Sequence, residues 1–398
     1  MPKRVIIAGA GIVGLAVAYK LKKKFPSLSV TVLEKEERVG AHQSSHNSGV
    51  LHAGLYYKPG SQKARMAVSG IRQMVAFCAE HGVPFDICGK LVVAACDDEL
   101  PALNELFSRG SQNGLQGLRM LVPNEMLEIE PHVKGVAAIH VPEEGIVDYL
   151  SVCEVLQKQI CTMGGAVRTH AKVLKIEEKK AVWIFQTTAG VFESDYFINC
   201  AGLYSDQICI MAGESPGVRI IPFRGEYYKI REERNSLVRH LIYPVPDATY
   251  PFLGVHFTRL IHGGVEAGPN AILSPSREGY SGLEWSGTDL WDSFSYGGFW
   301  RFMARHKAMC FEELKRSFSK KLFCQSLQKL VPEIAEEDLE PGGSGIRAQA
   351  MSHDGLLVND FCFLERARAL HVINAPSPAA TASLAIADTI LDRVEPFF

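Results

Sequence analysis

The sequence predicts a mixed α/β fold in which a doubly wound, parallel-sheet unit is joined to a discontinuous, mainly antiparallel sheet. Three observations predict it. An apolar run, Val5 to Ala8, enters a glycine-rich turn and then a helix-compatible segment, 15–24. A second strand-like run, 29–33, follows at the spacing of a β-α-β unit. From about 216 to 300 the chain turns to prolines, aromatics and short extended runs, as in an antiparallel sheet with long turns.

Taken in order, Gly9, Gly11 and Gly14 have the G-x-G-x-x-G spacing. Gly9 allows the tight turn, Gly11 lets backbone approach a pyrophosphate, and Gly14 lets the helix pack on the strand. Phosphates are favoured there by free N–H groups and the helix dipole. Glu34 stands twenty residues past Gly14, where a ribose-binding acid belongs. The segment 48–57 reads either as a loop pressed on a ligand or as a strand and turn with a core histidine. Residues 62–81 carry an apolar stripe through Ala64, Val68, Ile71, Val75 and Cys78, which predicts an amphipathic helix. Residues 91–95 predict a strand. Residues 97–109 and 124–130 predict helices, the second stopped by Pro131. A helix over 148–163 closes at Gly164-Gly165. Strands follow at 171–177 and 182–187. The run 195–202 is a strand entering a small-residue turn at Ala201-Gly202. Strands at 226–230 and 264–268 belong to the antiparallel part.

Residues 301–330 predict a helix with eight Lys or Arg. It reads as a solvated face or as a membrane-surface helix. The chain ends with the glycine-rich run 341–347, a strand near 370, a proline-fixed turn, and a helix of small residues over 379–391.

An apolar content of 47%, a charged content of 22% and a net charge of −2 suit a globular protein and give no basic field for nucleic acid. Ten scattered cysteines form no C-x-x-C pair, which argues against a zinc ribbon or dithiol motif and for buried reduced thiols. No metal is expected. The run from Val5 to Ala18 is too short and glycine-rich to span a bilayer, which needs about 20 residues. The nucleotide motif begins within ten residues of Met1, so a cytoplasmic protein, peripheral to the inner membrane at most, is expected. A trimmed organelle precursor would read the same.

The start of the chain, the Ala201-Gly202 turn and the turn before the last helix are all able to approach one nucleotide. A nicotinamide dehydrogenase usually confines its cofactor to one contiguous domain. A cofactor touched by both chain ends points instead to a long, embedded one, and FAD suits that.

A set of segments in this order carries a resemblance. It comprises His46-Asn47-Ser48-Gly49-Val50-Leu51-His52-Ala53-Gly54-Leu55-Tyr56-Tyr57, Phe223-Arg224-Gly225-Glu226-Tyr227-Tyr228, Gly254-Val255-His256-Phe257-Thr258 and Gly268-Pro269-Asn270-Ala271. It continues with Arg277-Glu278-Gly279-Tyr280, Gly345-Ile346-Arg347-Ala348-Gln349 and Asn374-Ala375-Pro376-Ser377-Pro378-Ala379-Ala380-Thr381. Over essentially its whole length the chain resembles the FAD-dependent oxidoreductases of the D-amino-acid oxidase superfamily, and within it the L-2-hydroxyglutarate oxidase/dehydrogenase family. The resemblance implies a Rossmann-like FAD-binding domain (1–85, 145–215 and 340–398) and a substrate-binding or cap domain (86–144 and 216–339). It implies FAD held by Gly9, Gly11, Gly14, Glu34 and Lys35, with Ser44 and Ser45 near the pyrophosphate and Val173 holding the adenine through its backbone. Ala201 and Gly202 would pass close to the nucleotide, and Pro378, Ala379, Ala380 and Thr381 would sit near the isoalloxazine. The implied reaction is oxidation of L-2-hydroxyglutarate to 2-oxoglutarate. Oxygen, a quinone or an electron-transfer chain would reoxidise the flavin, with the basic 301–329 helix a candidate for peripheral membrane contact.

That chemistry asks for a base whose pKa lies near working pH, which favours histidine. His52 ranks first, His256 second and His353 third, and each also reads as a hydrogen-bonded core histidine. Two carboxylates ask for planar guanidinium forks. Arg347 is the first candidate, with Arg224 and Arg259 for the distal carboxylate and Tyr57, Tyr228 and Tyr250 as hydroxyl donors. Arg259 also reads as a surface ion pair. The helix after Pro378 would stabilise negative charge at flavin N1. An amine oxidase of the glycine or sarcosine type and a glycerol-3-phosphate dehydrogenase-like enzyme are the rival readings.

Overall fold

The structure, a computed structural model, describes residues 3–247, 254–281 and 284–398. In chain order, the elements that build the site begin with β1 (Arg4–Ala8), α1 (Ile12–Lys24), β2 (Ser29–Leu33), α2 (Gln62–His81), β3 (Lys90–Ala94) and α3 (Tyr149–Thr162). They continue with β4 (Tyr196–Asn199), β5 (Val218–Ile230), β6 (Leu241–Pro244) and β7 (His256–Arg259). Four helices follow, α4 (Gly287–Phe294), α5 (Gly297–Arg305), α6 (Lys307–Phe318) and α7 (Lys320–Leu327). The last are β8 (Leu339–Ser352), β9 (Ala369–Asn374) and α8 (Ser383–Val394).

One six-stranded sheet runs Cys362–Arg366, β9, β4, β1, β2 and Ala166–Arg168, all parallel except the first edge strand. Val5, Ile6, Ile7 and Ala8 are all buried, as a strand covered on both faces requires. α1 packs against α3 and α8, and α2 against α8. The buried face of α1 includes Leu15, Ala16, Val17 and Ala18, and basic residues Lys22, Lys23 and Lys24 fill its last turn, where they complement the helix dipole. Ser61 caps α2, its hydroxyl accepting from Ala64 N at 3.1 Å, and Gly82 ends it at φ 68°. The Asp148 carboxylate caps α3 by accepting from Leu150 N and Ser151 N.

The second large sheet is nine-stranded and antiparallel apart from the β6–β3 pair. Its spine is the long pairing of β5 with β8. The glycine-rich run 341–347 lies inside β8 as extended chain. A register shift near Tyr227 makes this feasible, and Gly342 has no side chain because a Cβ there would meet Tyr227 O at 2.6 Å. β8 belongs by hydrogen bonding to this sheet, although its residues fall in the 340–398 segment assigned from sequence to the cofactor unit.

Several expectations are corrected in detail. The long helix over 301–330 is three helices, α5 to α7, broken at His306 and Ser319. The last helix begins at Ser383, with turns over 379–382. Strands at Ala166–Arg168 and Gly190–Ser194 and the helix α4 inside the 216–300 region were not anticipated. All ten cysteines are free, and half of them are buried.

A Cβ on Gly14 would stand 2.1 Å from Gly9 O. Gly14→Ala is expected to push α1 off β1 and cost about 1–3 kcal/mol as overpacking does, measured by denaturant unfolding. Unchanged stability would mean that the helix shifts freely.

Candidate active site

Between the two large sheets lies a cavity of about 1160 Å³. At one end it is built by the glycine turn. Gly9 has φ +101°, donates its N–H to Leu33 O at 2.8 Å, and would place a Cβ 2.5 Å from Cys200 O. Only glycine passes between the ends of β2 and β4 in that conformation. A Cβ on Gly11 would lie 3.3 Å from the Ser44 hydroxyl. That hydroxyl accepts from Ile12 N at 2.9 Å, so it caps the first turn of α1 from 32 residues away, Gly11 having no side chain to do so. Glu34 is buried, accepting from Ala10 N at 2.7 Å and Glu36 N at 3.0 Å. Lys35 is paired with Glu36 and with Glu278 at 2.6 Å, and its ammonium lies 2.8 Å from His42 Nε2. The cluster of Glu36, His42 and Glu278 is thereby centred on an ammonium.

Gly9, Gly11, Glu34, Lys35, Ser44, Val173, Ala201 and Gly202 line this end, while Pro378, Ala379, Ala380 and Thr381 line the same cavity. Gly14 and Ser45 do not. Gly14 serves helix packing, and the Ser45 hydroxyl faces His42 O at 3.4 Å and His46 Nδ1 at 3.3 Å. The hydroxyl of Thr381 accepts from His52 N at 3.2 Å, lies 2.6 Å from the Tyr149 hydroxyl and donates to Val50 O at 3.2 Å. The turn before α8 is thus fastened to the His52 segment.

His52, His256, Tyr57 and Arg347 also line the cavity, with Tyr56, Lys63, Tyr227 and Tyr243. His52 Nδ1 is 3.7 Å from the fully buried Glu144 carboxylate. Glu144 Oε1 accepts from Ala53 N at 3.0 Å, and its other oxygen pairs with Lys90 Nζ, equally buried. The Lys90 ammonium lies 4.6 Å from the Tyr56 ring and 4.8 Å from the Tyr243 ring, a desolvated cation–π arrangement. Tyr243 stacks on His256 at 3.8 Å. Burial lowers His256 to about 3, so it is neutral at working pH, and its Nδ1–H donates to Gly254 O at 2.9 Å. That tautomer leaves Nε2 as an acceptor. Burial pushes the phenols of Tyr56, Tyr57 and Tyr243 up, so all three remain donors.

Arg347 sits on β8 with Nη1 donating to Asn270 O at 3.2 Å, and a Cβ on Gly225 would come within 3.2 Å of the same nitrogen. Gly225 therefore makes room for the guanidinium. Lys63, at the start of α2, reaches the cavity with its ammonium donating to Asn359 O at 3.2 Å and lying 4.9 Å from the Tyr57 ring. Burial lowers it to about 8, against the pull of Asp360.

Besides Gly14 and Ser45, four residues expected at the substrate do not reach the cavity. Register places Arg347 opposite Phe223 and Arg224 opposite Ile346, so the two arginines fall on opposite faces of the strand pair. Arg224 is ion-paired with Glu226 at 2.7 Å, which also accepts from Asn270 and Ser317. Arg259 is paired with Asp86. Tyr228 packs on Phe323, ring centroids 4.7 Å apart. His353 is bonded to Arg301 away from the cavity. Tyr250 lies outside the described residues. Sequence reasoning missed Lys63, Lys90 and Glu144. Lys63 is masked by the amphipathic pattern of α2, and Glu144 by its place in a turn. The one cue for Lys90 is a lysine abutting a wholly apolar strand.

The family model DAO, described as FAD dependent oxidoreductase, matches residues 4–393. The chain is 50% identical over 393 residues to a protein of Indibacter alkaliphilus named L-2-hydroxyglutarate dehydrogenase, covering 98% of each. It is 40% identical to the Escherichia coli K12 protein of that name, covering 98% of this chain and 92% of the other. It is 41% identical to the mitochondrial one of Homo sapiens, covering 99% and 89%. Among solved structures, the FAD-bound L-alpha-glycerophosphate oxidase of Mycoplasma pneumoniae shares the fold at TM-score 0.82 and 20% identity, covering 99% and 95%. Glycine oxidase of Geobacillus kaustophilus does so at 0.73 and 18%, covering 99% and 95%.

The two neighbouring serines separate experimentally. Ser44→Ala removes the cap of α1 and is expected to cost about 1 kcal/mol in urea unfolding. Ser45→Ala is expected to stay within about 0.5 kcal/mol of the parent. Equal effects would remove the capping role.

Proposed function

The chain belongs to the FAD-dependent oxidoreductases of the DAO family, with the L-2-hydroxyglutarate dehydrogenases, and on that footing we propose that it oxidises L-2-hydroxyglutarate to 2-oxoglutarate. FAD fits the cavity. The Gly9–Gly11 turn is bare of side chains where a pyrophosphate would lie, and the first turn of α1 leaves amide N–H groups for it. When bound, FAD supplies the two-electron acceptor for the hydride leaving the alcohol carbon.

The protein's own part is binding, orientation and proton transfer. The observation that carries the reading is one cavity holding a base, His52, and two cations, Arg347 and Lys63, besides the nucleotide cradle. Arg347 receives the carboxylate beside the reacting carbon through its planar fork. Lys63 receives the distal carboxylate, the task assigned from sequence to Arg224 and Arg259. His52 Nε2 accepts the hydroxyl proton, and Tyr57 and Tyr243 donate to the substrate. An amine substrate such as glycine has no second carboxylate and would leave Lys63 idle.

The surface from Trp285 through α7 supports contact with a membrane-held electron acceptor. Trp285, Trp291 and Trp300 are 75%, 75% and 55% exposed. Phe294 stacks on Trp300 and lies one turn from Trp291. Arg301, Arg305 and Lys307 follow directly in the chain, and the exposed pair Phe311 and Leu314 carries Lys315. Exposed indoles interleaved with cations suit the interface of an anionic bilayer, where a quinone would take the electrons in preference to oxygen. No helix among the described residues is long and apolar enough to cross a membrane.

Anaerobic L-2-hydroxyglutarate is expected to bleach the flavin absorbance of the purified holoenzyme, while glycine and sarcosine leave it intact. Bleaching by the amines alone would transfer the chain to the rival reading. Arg347→Lys should raise KM at least about tenfold, the loss of one bidentate contact. Because Lys63 carries charge only below about 8, kcat/KM for the diacid should fall as pH rises through that value. In Lys63→Met that fall should vanish, with kcat/KM low throughout. Trp291→Ala with Trp300→Ala should reduce sedimentation with phosphatidylglycerol vesicles and leave turnover with a soluble dye unchanged. Equal sedimentation would remove the membrane contact.

A further inference from the structure

We propose that Glu144, held as a carboxylate by Lys90, is a positioning residue that keeps the His52 proton on Nδ1 and so leaves Nε2 free to take the substrate's hydroxyl proton. This rests on the reading of His52 as the base, and nothing in the family match or in the sequence motifs assigns a role to either buried residue.

Geometry carries the proposal. Glu144 and Lys90 are both fully buried. Isolated charges there would cost several kcal/mol each, so the two persist only as a pair. The pair adds little to stability, since such pairs are often replaceable by apolar residues at no loss. What an apolar replacement could not supply is the hold on residues 52 and 53. Glu144 Oε1 accepts from Ala53 N at 3.0 Å, while Oε2 stands 3.7 Å from His52 Nδ1. The distance is longer than a hydrogen bond, as catalytic contacts often are before substrate binds. A carboxylate can only accept, so of the two neutral tautomers it favours the one with hydrogen on Nδ1. The His52 backbone is fixed independently by Thr381, which holds this segment beside Glu144.

Lys90 sets the charge state. Burial by itself would push the Glu144 carboxyl up, but Lys90 and His52 outweigh it and hold it down at about 2. Burial lowers the Lys90 ammonium in turn, Glu144 opposes that shift, and the rings of Tyr56 and Tyr243 flank it. The other titratable or charged groups around His52 are Tyr56 and Tyr57 on its own segment, Tyr149 beyond Thr381, Tyr243 and His256 from the antiparallel sheet, and the cations Lys63 and Arg347 in the same cavity. The buried phenols stay neutral. His256 is already neutral, and Arg347 is cationic throughout, so Glu144 is the anion that stabilises His52 when it carries the transferred proton.

With FAD bound as the two-electron acceptor, the C2–H bond would break with its electron pair leaving as hydride, the O–H bond would break with its proton going to His52 Nε2, and the carbonyl of 2-oxoglutarate would form. His52 becomes imidazolium opposite the Glu144 carboxylate.

Two measurements on the holoenzyme test the proposal. Nitrogen-15 imidazole spectra of the wild-type protein, compared with His52→Gln for assignment, should show His52 as the Nδ1–H tautomer. An Nε2–H tautomer overturns the proposal whatever the substrate proves to be. In Glu144→Gln the amide oxygen still accepts from Ala53 N but the charge is lost. Anaerobic single-turnover reduction by L-2-hydroxyglutarate should slow by about 10²-fold or more, with KM within a few-fold. The nitrogen-15 spectrum of this variant should show the Nδ1–H tautomer no longer preferred. Glu144→Asp should restore that tautomer and part of the rate. If Glu144→Gln does not fold, Lys90→Met combined with it removes both buried charges and should show the same slow reduction and lost tautomer preference. A normal rate and an unchanged tautomer in a folded, flavin-loaded variant return the pair to an inert structural role. If wild-type flavin is not reduced by L-2-hydroxyglutarate at all, the substrate reading fails while the tautomer result still decides the role of Glu144.

Discussion

The molecule depends first on a close approach at one atom. Gly9 leaves β1 between the ends of β2 and β4, bonded to Leu33 O and nearly touching Cys200 O. Gly14 lets α1 rest on the Gly9 carbonyl. No residue with a side chain can occupy either position without parting the strands or lifting the helix. The same crowding that packs the core leaves a bare backbone facing the cavity. Tight packing and room for a nucleotide are therefore one constraint here.

The cavity is divided by sheet type. The parallel sheet contributes backbone, amide groups and the buried Glu34, which suit an anionic dinucleotide. The antiparallel sheet contributes side chains standing off its strands, among them Arg347, Tyr227, Tyr243 and His256. Where the two meet, the desolvated Lys90–Glu144 pair touches both histidine environments. Its ammonium lies between the rings of Tyr56 and Tyr243. A buried charge pair adds little to stability, but it is hard to displace and makes a rigid backing for groups that move protons.

Local signals in the sequence were readable, and contacts made across the sheets were not. The glycine turn, Glu34, the Ser61-capped helix over 62–81 and the Asp148-capped helix each declare themselves within a few residues, and the structure has them within two residues of the expected bounds. The mixed fold and its mainly antiparallel second sheet were also legible, from the strand–turn–helix spacing at the start and the proline-rich, aromatic, extended runs of 216–300. Arg224 and Arg347 show the limit. Both are arginines in extended, glycine-containing segments, yet one faces Glu226 and the other the cavity. The difference is the parity of a register between strands over a hundred residues apart. Lys90 and Glu144 were invisible for a similar reason, since each is unremarkable until the other is brought to it. The long helix over 301–330 failed because two breaks at His306 and Ser319 carry neither glycine nor proline to announce them.

The bonds from Thr381 to the segment around His52 also bear on how the chain comes to exist. Synthesis proceeds from the amino end, and early domains commonly fold while the rest is still being made. Here β1 and β4 are made early, but β4 must wait for β9 to cover its other edge, and α1 for α8. Until residues 369–394 leave the ribosome, the nascent chain presents an unpaired parallel strand and an uncovered helix face, both inviting wrong partners. A stop codon before residue 369 would thus remove a middle strand of the parallel sheet together with α8.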